Sequence, residues 1–342
     1  MAPACRGPRT ADMKPAIVGI AGPRLLPEEA ALFRVHPPAG VILFARNIQD
    51  PPQLQLLMGA LHEALPQGAV LMVDQEGGRV ARLRPPHWRA HPPAARIGEV
   101  FAAHPSAGLR AAFLSGLLIG QDCRAAGFDV AAAPVLDLSI PGAHDVIGDR
   151  AFAASPCAIA RLGRAMAQGL MAAGVQPVGK HAPGHGRARV DSHLALPHVD
   201  ANDLDVDLLP FALNASLPWL MTAHIVYPQF DPIWPATLSQ SLITGIIRGR
   251  MGFKGVLVTD DLAMKALQGT PIDLARQALA AGCDLALYCS GTFPETEALL
   301  RGLDPAGDTV RGRLRAARAA VAQRANALDG ATAADERDRL LA

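Results

Sequence analysis

Eight short apolar runs, helical stretches between them and glycines at several helix ends predict an α/β fold, a single TIM-like (β/α)8 barrel. The runs are PAIVGIAG (15–22), GVILF (40–44), AVLMVDQ (69–75), FDVAAAPVLD (128–137), VQPVGKH (175–181), PWLMTAHIV (218–226), KGVLVTD (254–260) and CDLALYC (283–289). Apolar runs separated in this way are the pattern of parallel strands joined by crossover helices. The stretches 52–64, 107–126, 158–173, 239–250, 272–281 and 311–327 carry apolar residues at about 3.6-residue spacing and read as helices. Gly127, Gly174 and Gly282 stand just before strands, where a helix end calls for positive φ. A doubly wound open sheet shares the alternation and is the alternative fold. No strand is followed by GxGxxG or a Walker A loop, so nothing supports nucleotide binding.

The chain of 342 residues is long enough for one large barrel, which we assign to residues 1–330, with the first dozen residues loose. The Ala-rich, charged stretch from about 328 reads as a frayed helix or a disordered end, and residues 331–342 are assigned as a flexible tail. Pro-rich stretches at 84–93 and 228–235 read as rim loops, in which Trp88 and Trp234 are packing residues before they are ligand-stacking platforms. Lys and Arg number 32 against 31 Asp and Glu, so the charge balance offers no footprint for nucleic acid or an anionic membrane. The N-terminus lacks the apolar core of a secretory signal, and every apolar run is broken well short of the ~20 residues a membrane span requires. Five scattered cysteines without a CxxC pair indicate neither a disulfide framework nor a zinc ribbon. A cytoplasmic protein is expected.

Five of the eight strands run into ionisable residues at the carboxyl end: Asp74 and Glu76 after the third, Asp137 after the fourth, Lys180 and His181 after the fifth, His224 after the sixth, Asp260 and Asp261 after the seventh. Active sites of (β/α)8 barrels lie on that face, so the asymmetry marks a catalytic mouth. Asp137 and His224 serve equally well as structural hydrogen-bonding residues. Asp260 is the candidate nucleophile. In an extended segment it and Asp261 point to opposite sides, so one faces the pocket and the other is free to cap a helix beginning near Leu262; spacing alone does not decide which.

The segment KHAPGHGRARVDSH (180–193) concentrates histidines, basic residues, glycines and a carboxylate after a strand. If the chain is extended there, Asp191 and His193 project the same way, and the carboxylate orients an imidazole able to give and take a proton near neutral pH. Gly184 and Gly186 allow the loop to swing as a gate. His181, His185, Asp191 and His193 would also suit a metal, but Pro183, Gly184 and Gly186 oppose the helix on which an HExxH-type site depends. The expectation is no metal and no cofactor.

These motifs resemble the β-N-acetylglucosaminidases of glycoside hydrolase family 3, the bacterial enzymes of cell-wall recycling. The resemblance runs from about 15 to 290 and is carried by GVILFARNI, DQEGGRVARL, APVLDL, VIGDRAF, the 180–193 segment, MTAHIVYP, PATLS, GFKGVLVTDDLAM and AGCDLAL. It implies a barrel catalytic domain in which Asp260 is the nucleophile, His193 the proton donor and acceptor, and Asp191 its partner. It places substrate contacts on Asp74, Arg82, Arg150, Lys180 and His181, without metal or cofactor. It implies a monomeric, retaining exo-enzyme that removes N-acetylglucosamine from 1,6-anhydro-N-acetylmuramic acid, with or without a peptide. The chain departs from the family pattern at Ala182, where Phe is usual, and at Arg187–Ala188, where Asp-Thr is usual, which bears on packing of the loop and on the aglycone. An imidazole acid/base does not repel anions, so a phosphorylase is the nearest rival. A metal-dependent hydrolase and a non-catalytic muropeptide sensor are the others.

Overall fold

The structure, a computed structural model, describes residues 12–192, 194–200, 204–323 and 329–342. Eight parallel strands close into a barrel in chain order. They are β1 (Lys14–Gly19), β2 (Pro38–Leu43), β3 (Val70–Val73), β4 (Val130–Ala131), β5 (Gln176–Ala182), β6 (Trp219–Thr222), β7 (Val256–Asp261) and β8 (Leu285–Tyr288). Around them lie α1 (Pro27–Val35), α2 (Pro51–Ala64), α3 (Ala94–Ala103), α4 (Pro105–Ala125), α5 (Pro156–Ala172) and α6 (Asp205–Leu213). After these come α7 (Pro271–Ala281), α8 (Phe293–Gly302), α9 (Asp308–Ala322) and α10 (Gly330–Leu341). The predicted barrel is the fold found. Among the described residues no helix is long and apolar enough to cross a membrane.

Alternate residues of each strand serve two cores. Ile17, Ile42, Met72, Val130, Val178, Trp219, Val258 and Leu285, one per strand, are buried together inside the barrel. Their neighbours, such as Val18, Val41, Leu71, Ala131, Leu220, Leu257 and Ala286, pack outward against the helices. The interior Trp219 donates its indole N–H to Gln176 at 2.9 Å, which satisfies both buried groups.

Local chemistry sets the element limits. Asp50, Ser155 and Thr270 cap α2, α5 and α7, each accepting the amide three residues on, and each is followed by a proline suited to the first helical turn. Gly127, Gly174 and Gly282 have φ of +94°, +85° and +117°, the conformation expected of them. Only Val130–Ala131 of the fourth run form β4; beyond them the run still accepts from β5, Val178 N–H to Ala133 at 2.9 Å and Lys180 N–H to Pro134 at 3.1 Å, and Leu136 donates to Lys180 at 2.7 Å, while Pro134 has no N–H to give.

Three expectations need correction. Residues 241–250 form a π-helix, not an α-helix. No helix begins near Leu262; the next is α7. The segment 331–342 is not a loose tail: all but Ala342 lies in α10, with Ala333 and Arg337 buried and Glu336 paired to Arg110 of α4 at 2.7 Å. The first eleven residues, also expected to be loose, lie outside the described residues.

Candidate active site

The carboxyl ends of the strands surround one cavity, bordered by Asp74, Glu76, Arg82, Arg150, Lys180, His181 and Asp260. Asp74 and Glu76 follow β3 two residues apart, so both face inward. The intervening Gln75 is fully buried on the other side, where its carbonyl accepts the amides of Arg82 and Leu83 and its amide donates to Leu83. This closes the loop and brings Arg82 back over Asp74, at 3.1 Å.

Lys180, at the end of β5, sits between the two carboxylates, 3.0 Å from Asp74 and 2.6 Å from Glu76. Arg150 donates twice to Glu76, both at 2.9 Å. Burial pushes both carboxyls upward, but Lys180 with Arg82 holds Asp74 below its ordinary value, and Lys180 with Arg150 holds Glu76 down at about 2. Burial likewise works against the Lys180 ammonium, yet the carboxylates raise its pKa. The corner is therefore fully ionised near neutral pH, a set of oriented donors and acceptors for a polyhydroxylated ligand.

Beneath it lies Asp137, fully buried, the acceptor for His181 Nδ1 at 2.7 Å and for the backbone amides of His181 and His185. Its burial is offset by His181, which keeps the carboxyl below its usual range. The tautomer follows: Nδ1 carries the proton, and Nε2 is left facing Arg150 at 3.5 Å. His185, also buried, is pushed down to about 4 by burial and by His181, and its Nε2 lies 3.1 Å from Ser192.

At the end of β7 the two aspartates have different surroundings. Among the described residues the only hydrogen bond to the Asp260 carboxylate comes from the Asp261 amide, at 2.8 Å. Burial raises its pKa, but His181, His224 and that amide bring it net below the ordinary value, so it is an anion facing the cavity. Asp261 also borders the cavity, yet its carboxylate accepts the amides of Ala263 and Cys289, both at 2.9 Å, fixing the turn after β7 onto β8. His224 supports the same turn, with Nε2 2.9 Å from the Asp261 carbonyl.

The sequence-predicted contacts Asp74, Arg82, Arg150, Lys180, His181 and Asp260 are thus brought together. Asp191 does not border the cavity, although Ser192 beside it does. The Asp191 carbonyl accepts the amides of Leu194 and Ala195. His193 lies outside the described residues. Arg187 is paired with Asp207 of α6 at 2.7 Å and lines another cleft with Arg189. Trp88 and Trp234 do not border the site. Sequence reasoning placed Glu76 at the catalytic mouth but gave it no substrate contact; the DxE spacing, which puts both carboxylates on one side of an extended chain, was the available signal. Phe44, Met221 and Met264, also on the wall, carry no signal of their own. Among the described residues no group of three His, Cys, Asp or Glu side chains is placed to hold a metal ion.

The glycosyl hydrolase family 3 N-terminal domain matches residues 21–322. A curated beta-hexosaminidase of Thioalkalivibrio sulfidiphilus is 42% identical over 308 residues, 87% of each chain. Native NagZ from Neisseria gonorrhoeae has a TM-score of 0.87 and 33% identity, over 98% of this chain and 99% of that one. The same protein in complex with N-trifluoroacetyl-D-glucosamine matches with a TM-score of 0.87 and 32% identity, over 98% and 100%.

Proposed function

The chain belongs to glycosyl hydrolase family 3 and is a glycoside hydrolase of the β-hexosaminidase kind, and on that premise we propose that it is a retaining exo-β-N-acetylglucosaminidase acting on cell-wall muropeptides. Its substrate is N-acetylglucosamine linked to 1,6-anhydro-N-acetylmuramic acid, with or without a peptide. The observation that carries this reading is the position of Asp260, an ionised carboxylate at the cavity wall that also holds the charged corner of Asp74, Glu76, Arg82, Arg150 and Lys180.

In the first step an Asp260 oxygen attacks the anomeric carbon while the leaving oxygen takes a proton from His193, and the C–O bond to the aglycone breaks. In the second, His193 removes a proton from water, which displaces Asp260 and restores both groups. Asp191 orients His193 and stabilises its charged form. Asp74, Arg82 and Lys180 bind sugar hydroxyls, and Arg150 and His181 line the same side. The only partner in this reading is the carbohydrate, and the protein is a monomer without metal or cofactor. It works in the cytoplasm, in keeping with the free thiols of Cys123, Cys157, Cys283 and Cys289.

The test is turnover of a chromogenic β-N-acetylglucosaminide and of purified anhydro-muropeptides, with products mapped in the presence and absence of phosphate. Free N-acetylglucosamine of retained β configuration is expected in both. A sugar 1-phosphate in the phosphate arm would make the enzyme a phosphorylase, and binding without turnover would make it a sensor.

A further inference from the structure

Helix α10 touches the loop whose backbone lies against the turn after Glu76. Arg337 is only 5% exposed, although it belongs to a terminal helix of highly charged composition. Its guanidinium lies 2.8 Å from Asp338 and 3.3 Å from Nδ1 of His91. The other ring nitrogen of His91 is 2.9 Å from Asp122 of α4, which also takes Arg89. An arginine only donates, so Nδ1 is the lone-pair nitrogen and Nε2–H donates to Asp122. The ring is pinned from two helices.

The main chain of the same loop carries the contact inward. Gly78 N–H donates to the His91 carbonyl at 2.9 Å, and the Glu76 amide donates to the Val80 carbonyl at 2.9 Å, closing the turn that follows Glu76. Gly77 has φ +102°, and a Cβ there would stand 2.4 Å from the Pro92 carbonyl oxygen, so this turn lies directly on the 91–93 backbone. The Glu76 side chain in turn holds Arg150 and Lys180.

We propose that α10, acting through Arg337 and His91, is a positioning element of the sugar site that keeps Glu76, and with it Arg150 and Lys180, in place for the substrate. The inference rests on the reading of the cavity as the sugar site. Groups that bind a ligand act only within a narrow range of geometry, so loosening this support weakens binding before it touches the chemistry at Asp260.

The experiment compares R337L, which removes the donor, R337Q, which keeps one, and R110A, which cuts the surface pair between α4 and α10. Backbone amide exchange over residues 74–83 is measured together with KM and kcat for a chromogenic β-N-acetylglucosaminide, well below each melting temperature. R337L is expected to speed exchange at Glu76 and Gly78 and to raise KM about tenfold with kcat within about twofold. R337Q restores most of both. R110A lowers the melting temperature and changes neither, which separates positioning from general stability. Where R337L does not fold, H91N, with a shorter side chain, tests the same contact. Unchanged exchange at Glu76 and Gly78 overturns the coupling. Faster exchange with unchanged KM overturns the assignment of this corner to the sugar.

Discussion

Asp260 and Asp261 are adjacent, alike in chemistry and opposite in circumstance. Asp260→Asn removes the anion that faces the cavity, and we expect kcat to fall by at least about 10³ with substrate binding retained. Asp261→Ala leaves the amides of Ala263 and Cys289 without their acceptor, a loss of about 2 kcal/mol that chemical denaturation will show. A mechanism-based fluorinated sugar should label Asp260; a label on Asp261 would reverse the pair. The role proposed for His193 has its own signature, because a general acid matters most for poor leaving groups. His193→Ala should abolish turnover of the natural disaccharide, while an activated aryl glycoside still forms the covalent intermediate, which accumulates. Equal losses on both substrates would remove His193 from proton transfer.

Elements were legible where one physical signal dominated. Strand limits followed from apolar runs ending in charge, and helix ends followed from glycines at positive φ. The shortening of β4 and the π-helix at 241–250 were not legible, since one depends on which groups of the run find partners in both neighbouring strands and the other on hydrogen-bond spacing that periodicity does not resolve. The packing of α10 escaped notice because its buried positions are Ala333 and Arg337, four apart, and an arginine on the inner face reads as solvated. The loop after β5 shows how an element compensates for an unusual residue. Arg187, where the resembled family usually has Asp, is neutralised by Asp207 of α6, which is 1% exposed. Arg187→Ala would strand that carboxylate. A loss of about 3 kcal/mol is expected, recovered in large part by adding Asp207→Asn, as thermal or denaturant unfolding of the three variants will show. No destabilisation on removing Arg187 would mean the loop is not held by this pair.

At the scale of the whole molecule, the site was legible to the extent that it is built from strand ends. Asp74, Lys180, His181 and Asp260 stand where a buried strand meets the mouth, whereas Arg82 and Arg150 come from loops whose return to the cavity only motif likeness anticipated. Gathering so many ionised groups at one end of the barrel makes its stability depend on acid. The sign is fixed by the folded state. Burial, with Arg337 and Arg89 alongside, depresses the basicity of His91, and burial with His181 alongside holds His185 at about 4, so the fold favours these two imidazoles neutral, and their contribution is lost as pH falls from the unfolded value of about 6.5. Asp74, Glu76, Asp137 and Asp260 are held below their ordinary values, Glu76 at about 2, so their contribution is present above the unfolded pKa of about 4 and disappears below it. Asp261, Asp207 and Glu29, raised by burial, act in the opposite sense and blunt the second fall without reversing it. The melting temperature should therefore be nearly level from pH 8 to about 7, decline through the histidine range, and drop more steeply below about 4. His185→Gln should lessen the first decline, leaving the part due to His91, and leave the second unchanged. A melting temperature that rises on acidification from about 6.5 to 4 would show that the buried histidines are charged in the fold, contrary to this account.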